Sequence, residues 1–122
     1  MRVLLADDDP VSLRLLAVQT RAIGCTSVLV TTGVDALAAL SAPDASFDAV
    51  VVDWAMPGLD GLALCERTRG LGIAARLVIV TALDLHEREG QARAAGADAV
   101  LSKPWRRDEL ARALGLGRGA AR

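Results

Sequence analysis

Apolar residues in this chain gather into short unbroken runs, each closed by a polar residue. The runs are Val3-Leu4-Leu5-Ala6, Ala49-Val50-Val51-Val52, Leu77-Val78-Ile79-Val80 and Ala99-Val100-Leu101. Strands buried on both faces of a parallel sheet read as continuous Val/Ile/Leu segments rather than as alternating ones. A further strand is expected at about Ser27 to Thr31. Between the runs the period changes. Val11, Leu15, Val18 and Ala22 recur at helical spacing, and Gly24 closes that segment. Thr32 is placed to cap a short helix carrying Val34, Leu37, Ala38 and Leu40, ended before Pro43. Met56-Pro57-Gly58 is turn chemistry, with Asp60 capping a short helix through Leu64. Asp84-Leu85-His86-Glu87 resembles a capping box opening a helix that stops near Gly96. A last helix carries Leu110, Ala113 and Leu114, and Gly115 to Arg122 reads as a frayed tail.

Five strand–helix units with short connections predict an α/β fold, a flavodoxin-like doubly wound (βα)5 arrangement with helices on both faces of a parallel sheet. The polar residues at the strand ends argue for its order. Strands one, three, four and five deliver Asp7 and Asp8, Asp53, Thr81 and Lys103, whereas strand two delivers only Thr31-Thr32. Order 2-1-3-4-5 puts strand two at an edge and the others side by side. The switch point then falls between strands one and three, and ligands of open α/β sheets bind outside the carboxyl ends of the strands at such points. Three carboxylates, a hydroxyl and an ammonium on one sheet edge form the inventory of a magnesium-dependent phosphoryl site. Clustered carboxylates repel one another unless a cation sits among them, and Mg²⁺ favours carboxylates, waters and phosphate oxygens.

Composition narrows the reading. A chain of 122 residues, 52% hydrophobic, is long enough for one domain with a real core. A formal net charge of −1 gives no electrostatic reason to expect nucleic acid, and Phe47, Trp54 and Trp105 are too few for a base-stacking surface. No stretch has the length of a membrane span. Met1-Arg2-Val3 leads straight into a strand, so no secretory signal is expected. Cys25 and Cys65 match no metal or redox spacing, which predicts two reduced thiols and a cytoplasmic setting, with a disulfide between them as the weaker alternative.

Four segments together carry a family resemblance: Val3-Leu-Leu-Ala-Asp-Asp-Asp-Pro10, Val52-Asp-Trp-Ala-Met-Pro-Gly-Leu-Asp-Gly61, Val80-Thr-Ala82 and Leu101-Ser-Lys-Pro-Trp105. At these spacings the chain resembles the receiver domain of bacterial two-component response regulators (CheY-like) over essentially its whole length, with residues 1–116 as the receiver and 117–122 as a tail or the start of a linker. The resemblance implies a phosphoacceptor at Asp53, fed from a phosphohistidine on a sensor histidine kinase or a histidine phosphotransfer protein. It implies Mg²⁺ held by Asp8 directly, by Asp7 largely through water, by Asp53 and by the backbone carbonyl of Ala55. Thr81 and Lys103 would hold the phosphoryl oxygens, and Lys103-Pro104 sits where the family commonly has a cis peptide, inexpensive only before proline. Such a protein is a signalling phosphoacceptor that catalyses only its own phosphorylation and dephosphorylation. It acts on a downstream protein target and can pair with a second copy through the fourth helix, fifth strand and fifth helix.

The chain departs from the family pattern at one switch position. Three residues before the lysine, where the family has an aromatic, stands Val100, and there is no Tyr anywhere. Ala55 and Leu83, two residues after Asp53 and Thr81, offer no polar handle to an attacking water, so a phosphorylated form of ordinary lifetime is expected. Asp9 reads as a helix-start charge, His86 as solvent-facing, Trp105 as packing for the last helix, and the arginines from Arg106 onward as a solvated face diluted by Asp108 and Glu109. Two other readings fit part of the pattern. Asp7-Asp8-Asp9-Pro10-Val11 also resembles the nucleophile motif of haloacid-dehalogenase-type phosphatases, with Asp7 as nucleophile, although Lys103 is followed by Pro-Trp-Arg-Arg rather than further acids. A receiver fold used only for docking, without phosphorylation, is the other. A flavin module fails, because three aspartates after strand one would repel its phosphate.

Overall fold

The computed structural model describes residues 1–116, and the 117–122 tail or linker segment lies outside them. The chain alternates β1 (Arg2–Ala6), α1 (Pro10–Ala22), β2 (Thr26–Val30), α2 (Gly33–Ser41), β3 (Ala49–Asp53), α3 (Gly61–Gly70), β4 (Arg76–Thr81), α4 (Leu85–Ala94), β5 (Ala99–Ser102) and α5 (Arg107–Ala113). All strand pairs are parallel, and the sheet order is β2-β1-β3-β4-β5, as the strand-end residues predicted. β2 begins one residue earlier than the sequence suggested.

Alternation along each strand divides the core in two. Leu4, Ala6, Val50, Val52, Leu77 and Ile79 point to the side covered by α2, α3 and α4, where Ala36, Leu64, Cys65 and Ala92 meet them. Val3, Leu5, Val51, Val78, Val80 and Leu101 point to the other side, under α1 and α5 with Leu13, Leu16, Leu110 and Leu114. Both cysteines are buried and free, Cys25 in one layer and Cys65 in the other, with the sheet between them.

Three local expectations change. The Val11, Leu15, Val18 stripe of α1 has helical period but faces solvent; the buried face is Leu13, Leu16 and Thr20. Thr20 belongs inside because its hydroxyl donates to the Ala17 carbonyl and so carries no unpaired polarity into the core. α3 continues past Leu64 to Gly70, since Cys65 and Thr68 extend its buried face and the Thr68 hydroxyl donates to the Leu64 carbonyl. Gly115 and Leu116 are not frayed: with Gly115 at φ 82°, the Leu116 N–H donates to the Ala111 carbonyl and closes α5.

The helix caps follow the sequence. Thr32 Oγ1 accepts from Asp35 N–H and Asp60 Oδ1 from Ala63 N–H. Asp84 caps α4 by accepting from His86 N–H, an Asx-type cap rather than the reciprocal box with Glu87. His86 is exposed, as expected. Arg106 and Arg112 pair with Asp108 across the exposed face of α5.

Candidate functional site

Asp7, Asp8 and Asp53 reach the site by different routes. β1 and β3 lie side by side in register, Ala6 opposite Val52, so the residues that follow emerge together at the carboxyl edge. Asp53, the last residue of β3, is anchored from behind by a hydrogen bond from Trp54 N–H to the Val80 carbonyl at 2.8 Å. Asp7 is fully buried, and its Oδ1 accepts from Asp9 N–H at 2.9 Å. Pro10 begins α1, where its fixed φ suits the first turn and its missing N–H costs nothing. Asp9 caps that helix, accepting from Val11 N–H and the Ser12 hydroxyl, and these bonds lower its carboxyl below the usual range. Asp9 therefore serves the site through its backbone, by aiming Asp7. The Asp-Pro step carries the signal for a cap; the bond to Asp7 is visible only in three dimensions.

One carboxylate oxygen from each of Asp7, Asp8 and Asp53 lies within 4.8 Å of the others. Lys103 Nζ stands 3.4 Å from Asp53 Oδ1 and 3.6 Å from Asp7 Oδ2. One ammonium against three carboxylates leaves an excess of negative charge in a partly desolvated place. Burial raises the Asp53 carboxyl above its ordinary range and the Asp7 charge adds to the rise, while Lys103 opposes both. Asp7 Oδ2 is a buried oxygen with no hydrogen-bond partner among the described residues. A buried carboxylate oxygen without a hydrogen bond is costly, and Lys103 at 3.6 Å offsets only part of that cost; the exposed neighbour Asp8 opens the cluster to solvent. Three hard oxygen donors, one of them unsatisfied, fit a divalent cation of the magnesium type.

The opposite wall comes from β4 and β5. Thr81 is buried at the end of β4, opposite Ser102, and its Oγ1 accepts from Leu83 N–H at 2.9 Å. That bond fixes the oxygen and leaves the hydroxyl proton to donate elsewhere. Lys103 N–H donates to the Thr81 carbonyl at 2.8 Å, and the Lys103-Pro104 peptide is cis. Trp105 is buried in the α1/α5 layer, and its indole N–H donates to Gln19 of α1. Its packing role thus includes tying the lysine loop to α1. Ala55 is exposed beside Asp53, and Val100 is half-buried against the α4 side of the sheet. All the residues expected at the site are therefore gathered at the carboxyl edge. Not foreseen was Trp54: buried, it lies under the Arg88 guanidinium of α4, 5.7 Å from its ring centre.

Known proteins share this fold. The receiver domain of the Francisella response regulator 1452 superposes with a TM-score of 0.87 at 29% identity, covering 99% of this chain and 98% of that one. The receiver domain of sensor histidine kinase PA1611 from Pseudomonas aeruginosa PAO1, solved with a magnesium ion coordinated in its active-site cleft, gives 0.81 at 29% identity, covering 97% of each chain. Sensor histidine kinase RcsC of Salmonella typhi is 39% identical over 116 residues, which is 95% of this chain. The chain spans only 12% of the length of that kinase. No helix among the described residues is long and apolar enough to cross a membrane. The model of the response regulator receiver domain matches residues 3–115, and so an acid-lined sheet edge built on order 2-1-3-4-5 has its place: this chain belongs to the response regulator receiver family of two-component signalling.

Proposed function

We propose that this receiver takes a phosphoryl group from a phosphohistidine onto Asp53, with Mg²⁺ held by Asp7, Asp8, Asp53 and the Ala55 carbonyl. The buried Oδ2 of Asp7, with no hydrogen bond among the described residues, stands beside two further carboxylates and carries the reading. Mg²⁺, when bound, offsets the excess negative charge and the charge on the incoming phosphoryl oxygens. An Asp53 carboxylate oxygen attacks phosphorus, the phosphorus–nitrogen bond of the phosphohistidine breaks, and the imidazole leaves with that electron pair. The product is an acyl phosphate on Asp53. Lys103, already 3.4 Å from Asp53, supplies a point charge to the phosphoryl oxygens, and Thr81 donates its free hydroxyl proton to one of them. Apolar Leu83 and small Ala55 give an attacking water no base, so hydrolysis of the product is of ordinary slowness.

The exposed face of α1 supports a protein donor. Val11, Leu15 and Val18, with Leu29 of β2, are 44–75% exposed. A largely apolar depression lined by Pro10, Leu13, Arg14, Ala17, Val18 and Leu29 reaches Asp8 of the acidic cluster. A helical surface presenting a phosphohistidine covers such a strip while reaching Asp53. The downstream partner is a protein bound on the α4, β5 and α5 side, the surface through which two copies would also pair. Because Val100 replaces the usual aromatic, Thr81 alone moves toward the phosphoryl group.

The test is phosphotransfer from a radiolabelled histidine phosphotransfer domain or kinase. Label passes to the parent in Mg²⁺, and not in EDTA or to Asp53→Asn. Label on Asp53→Asn, or transfer in EDTA, would overturn the reading. Multiple turnover of phosphate esters through Asp7 would instead favour the phosphatase reading. A protein that binds partners but takes no label would be a docking module.

A further inference from the structure

Two glycines bordering the acidic site are needed for space rather than for backbone conformation, since neither Gly33 nor Gly61 has a left-handed φ. A Cβ on Gly61 would lie 2.5 Å from the Asp53 carbonyl oxygen and 3.0 Å from Trp54 Cα. Its N–H also donates to the Trp54 carbonyl at 3.0 Å, so α3 begins hard against the end of β3. A Cβ on Gly33, the first residue of α2, would lie 2.0 Å from the Leu59 carbonyl oxygen and 2.9 Å from both the carbonyl carbon and the Cβ of Leu59. Real Cβ atoms essentially never come within 3.0 Å of a heavy atom beyond their own residue and its chain neighbours, and the atoms met here belong to or sit directly on the backbone and cannot swing aside. The loop of residues 54–60 is therefore gripped twice, at its base by α3 and near its far end by α2. Between the grips only Met56 is buried; Ala55, Pro57 and Gly58 are exposed.

We propose that Gly33 is a positioning residue for the metal and phosphoryl site. The inference rests on the reading of Asp53 and the Ala55 carbonyl given above. The start of α2 cannot retreat, because Ala36 and Leu40 are buried against the sheet and Thr32 caps the helix through Asp35 N–H. A side chain at position 33 must therefore push Leu59 by more than about 1 Å, because ordinary contact begins only at 3.4 Å. The push travels along a short loop whose other end is Asp53. Misplacement of reacting groups by about 1 Å can cost on the order of 10²-fold in rate, and groups that orient metal ligands are typically worth about 10–100-fold in affinity or activity.

Gly33→Ala separates this role from a local one. A local role alone predicts that the clash with Leu59 lowers the melting temperature while Mg²⁺ binding and phosphorylation stay unchanged. The positioning role predicts a folded protein with Mg²⁺ affinity, by calorimetry, reduced about tenfold. Phosphorylation by acetyl phosphate slows by about 10–100-fold. Val34→Ala, a neighbouring exposed position on α2, behaves like the parent. Parent-like Mg²⁺ affinity and phosphorylation in a folded Gly33→Ala overturn the proposal. If Gly33→Ala does not fold, Leu59→Ala decides. It removes the half-buried side chain that packs the loop against the core beside Gly33, and so loosens the seat of residues 54–60 from the opposite side. Weakened Mg²⁺ binding then supports the role, and parent-like binding overturns it. A parent that itself neither binds Mg²⁺ nor takes phosphate would sink the functional reading, an outcome distinct from either result with the variants.

Discussion

Replacing Asp53 by Asn should stabilise the metal-free protein, against the usual direction for a buried site. In the parent, Asp53 repels Asp7 at no more than 4.8 Å between the nearer oxygens, worth about 3.5 kcal/mol at an effective dielectric of about 20. Asp8 is exposed, so its share is screened to about 1 kcal/mol or less. Attraction to Lys103 at 3.4 Å returns about 5 kcal/mol on the same scale. The charge interactions therefore cancel to within about 1 kcal/mol, and burial of the ionised carboxylate decides the sign. That penalty heads the causes raising the Asp53 carboxyl. A gain on the order of 1 kcal/mol for Asp53→Asn corresponds to a rise in Tm of about 4 °C in a chain of this length. The pH dependence follows from linkage. An acid whose folded pKa exceeds its unfolded value holds more protons when folded, so the parent loses stability relative to the variant as pH rises from the ordinary Asp range through the raised folded value. Below that window the carboxyl is protonated in both states and the two proteins converge. Mg²⁺ reverses the order at neutral pH, since binding adds about 2.7 kcal/mol at a hundred times Kd and the variant has lost one ligand. Thermal melts in EDTA and in Mg²⁺ at several pH values measure all of this. An Asp53→Asn protein less stable than the parent in EDTA at neutral pH, or equal stabilisation of both by Mg²⁺, would refute the reasoning.

Other perturbations separate the parts of the site. Lys103→Met removes the cation closest to Asp7 and Asp53, so it should destabilise the apo protein by about 1–3 kcal/mol in denaturant melts, with much of the loss recovered by Mg²⁺. Val18→Asp, at a position 60% exposed, should change stability by less than about 0.5 kcal/mol. It should also slow transfer from a phosphohistidine protein while leaving acetyl phosphate labelling intact; equal rates from the protein donor would remove α1 from the docking face. Burial pushes the Cys65 thiol up to about 12, so at pH 8 it should resist thiol reagents until the protein unfolds, as followed by labelling and mass analysis. Prompt labelling of native Cys65 would show that the α3 layer opens readily.

How much of this was legible from the chain depended on how local each cause is. The strands and their order were readable because a strand buried on both faces needs no alternation, and the residues closing Val3–Ala6 and Ala49–Val52 showed where the edge lies. Caps at Thr32 and Asp60 were readable because their bonds span only three residues. The orientation of α1 was not, because apolar residues occupy two of its faces and the buried one includes Thr20, whose hydroxyl is satisfied within its own helix. Cys65 and Thr68 hid the second half of α3 in the same way. Contacts between distant elements left no pattern at all. Gly33 meets Leu59 across two elements, Arg88 of α4 covers Trp54, and Gln19 receives the Trp105 indole N–H. The Arg88–Trp54 contact joins α4 to the residue after Asp53, a connection worth noting in a chain that lacks the usual aromatic at position 100.

The most direct measurement is the intact mass of the protein after incubation with acetyl phosphate, with Mg²⁺ or with EDTA, followed by peptide mapping. The account predicts a single added phosphoryl group, located on Asp53, dependent on Mg²⁺ and absent from Asp53→Asn. A phosphoryl group found on Asp7 or Asp8 instead, or no adduct in a folded protein that binds Mg²⁺, would contradict it.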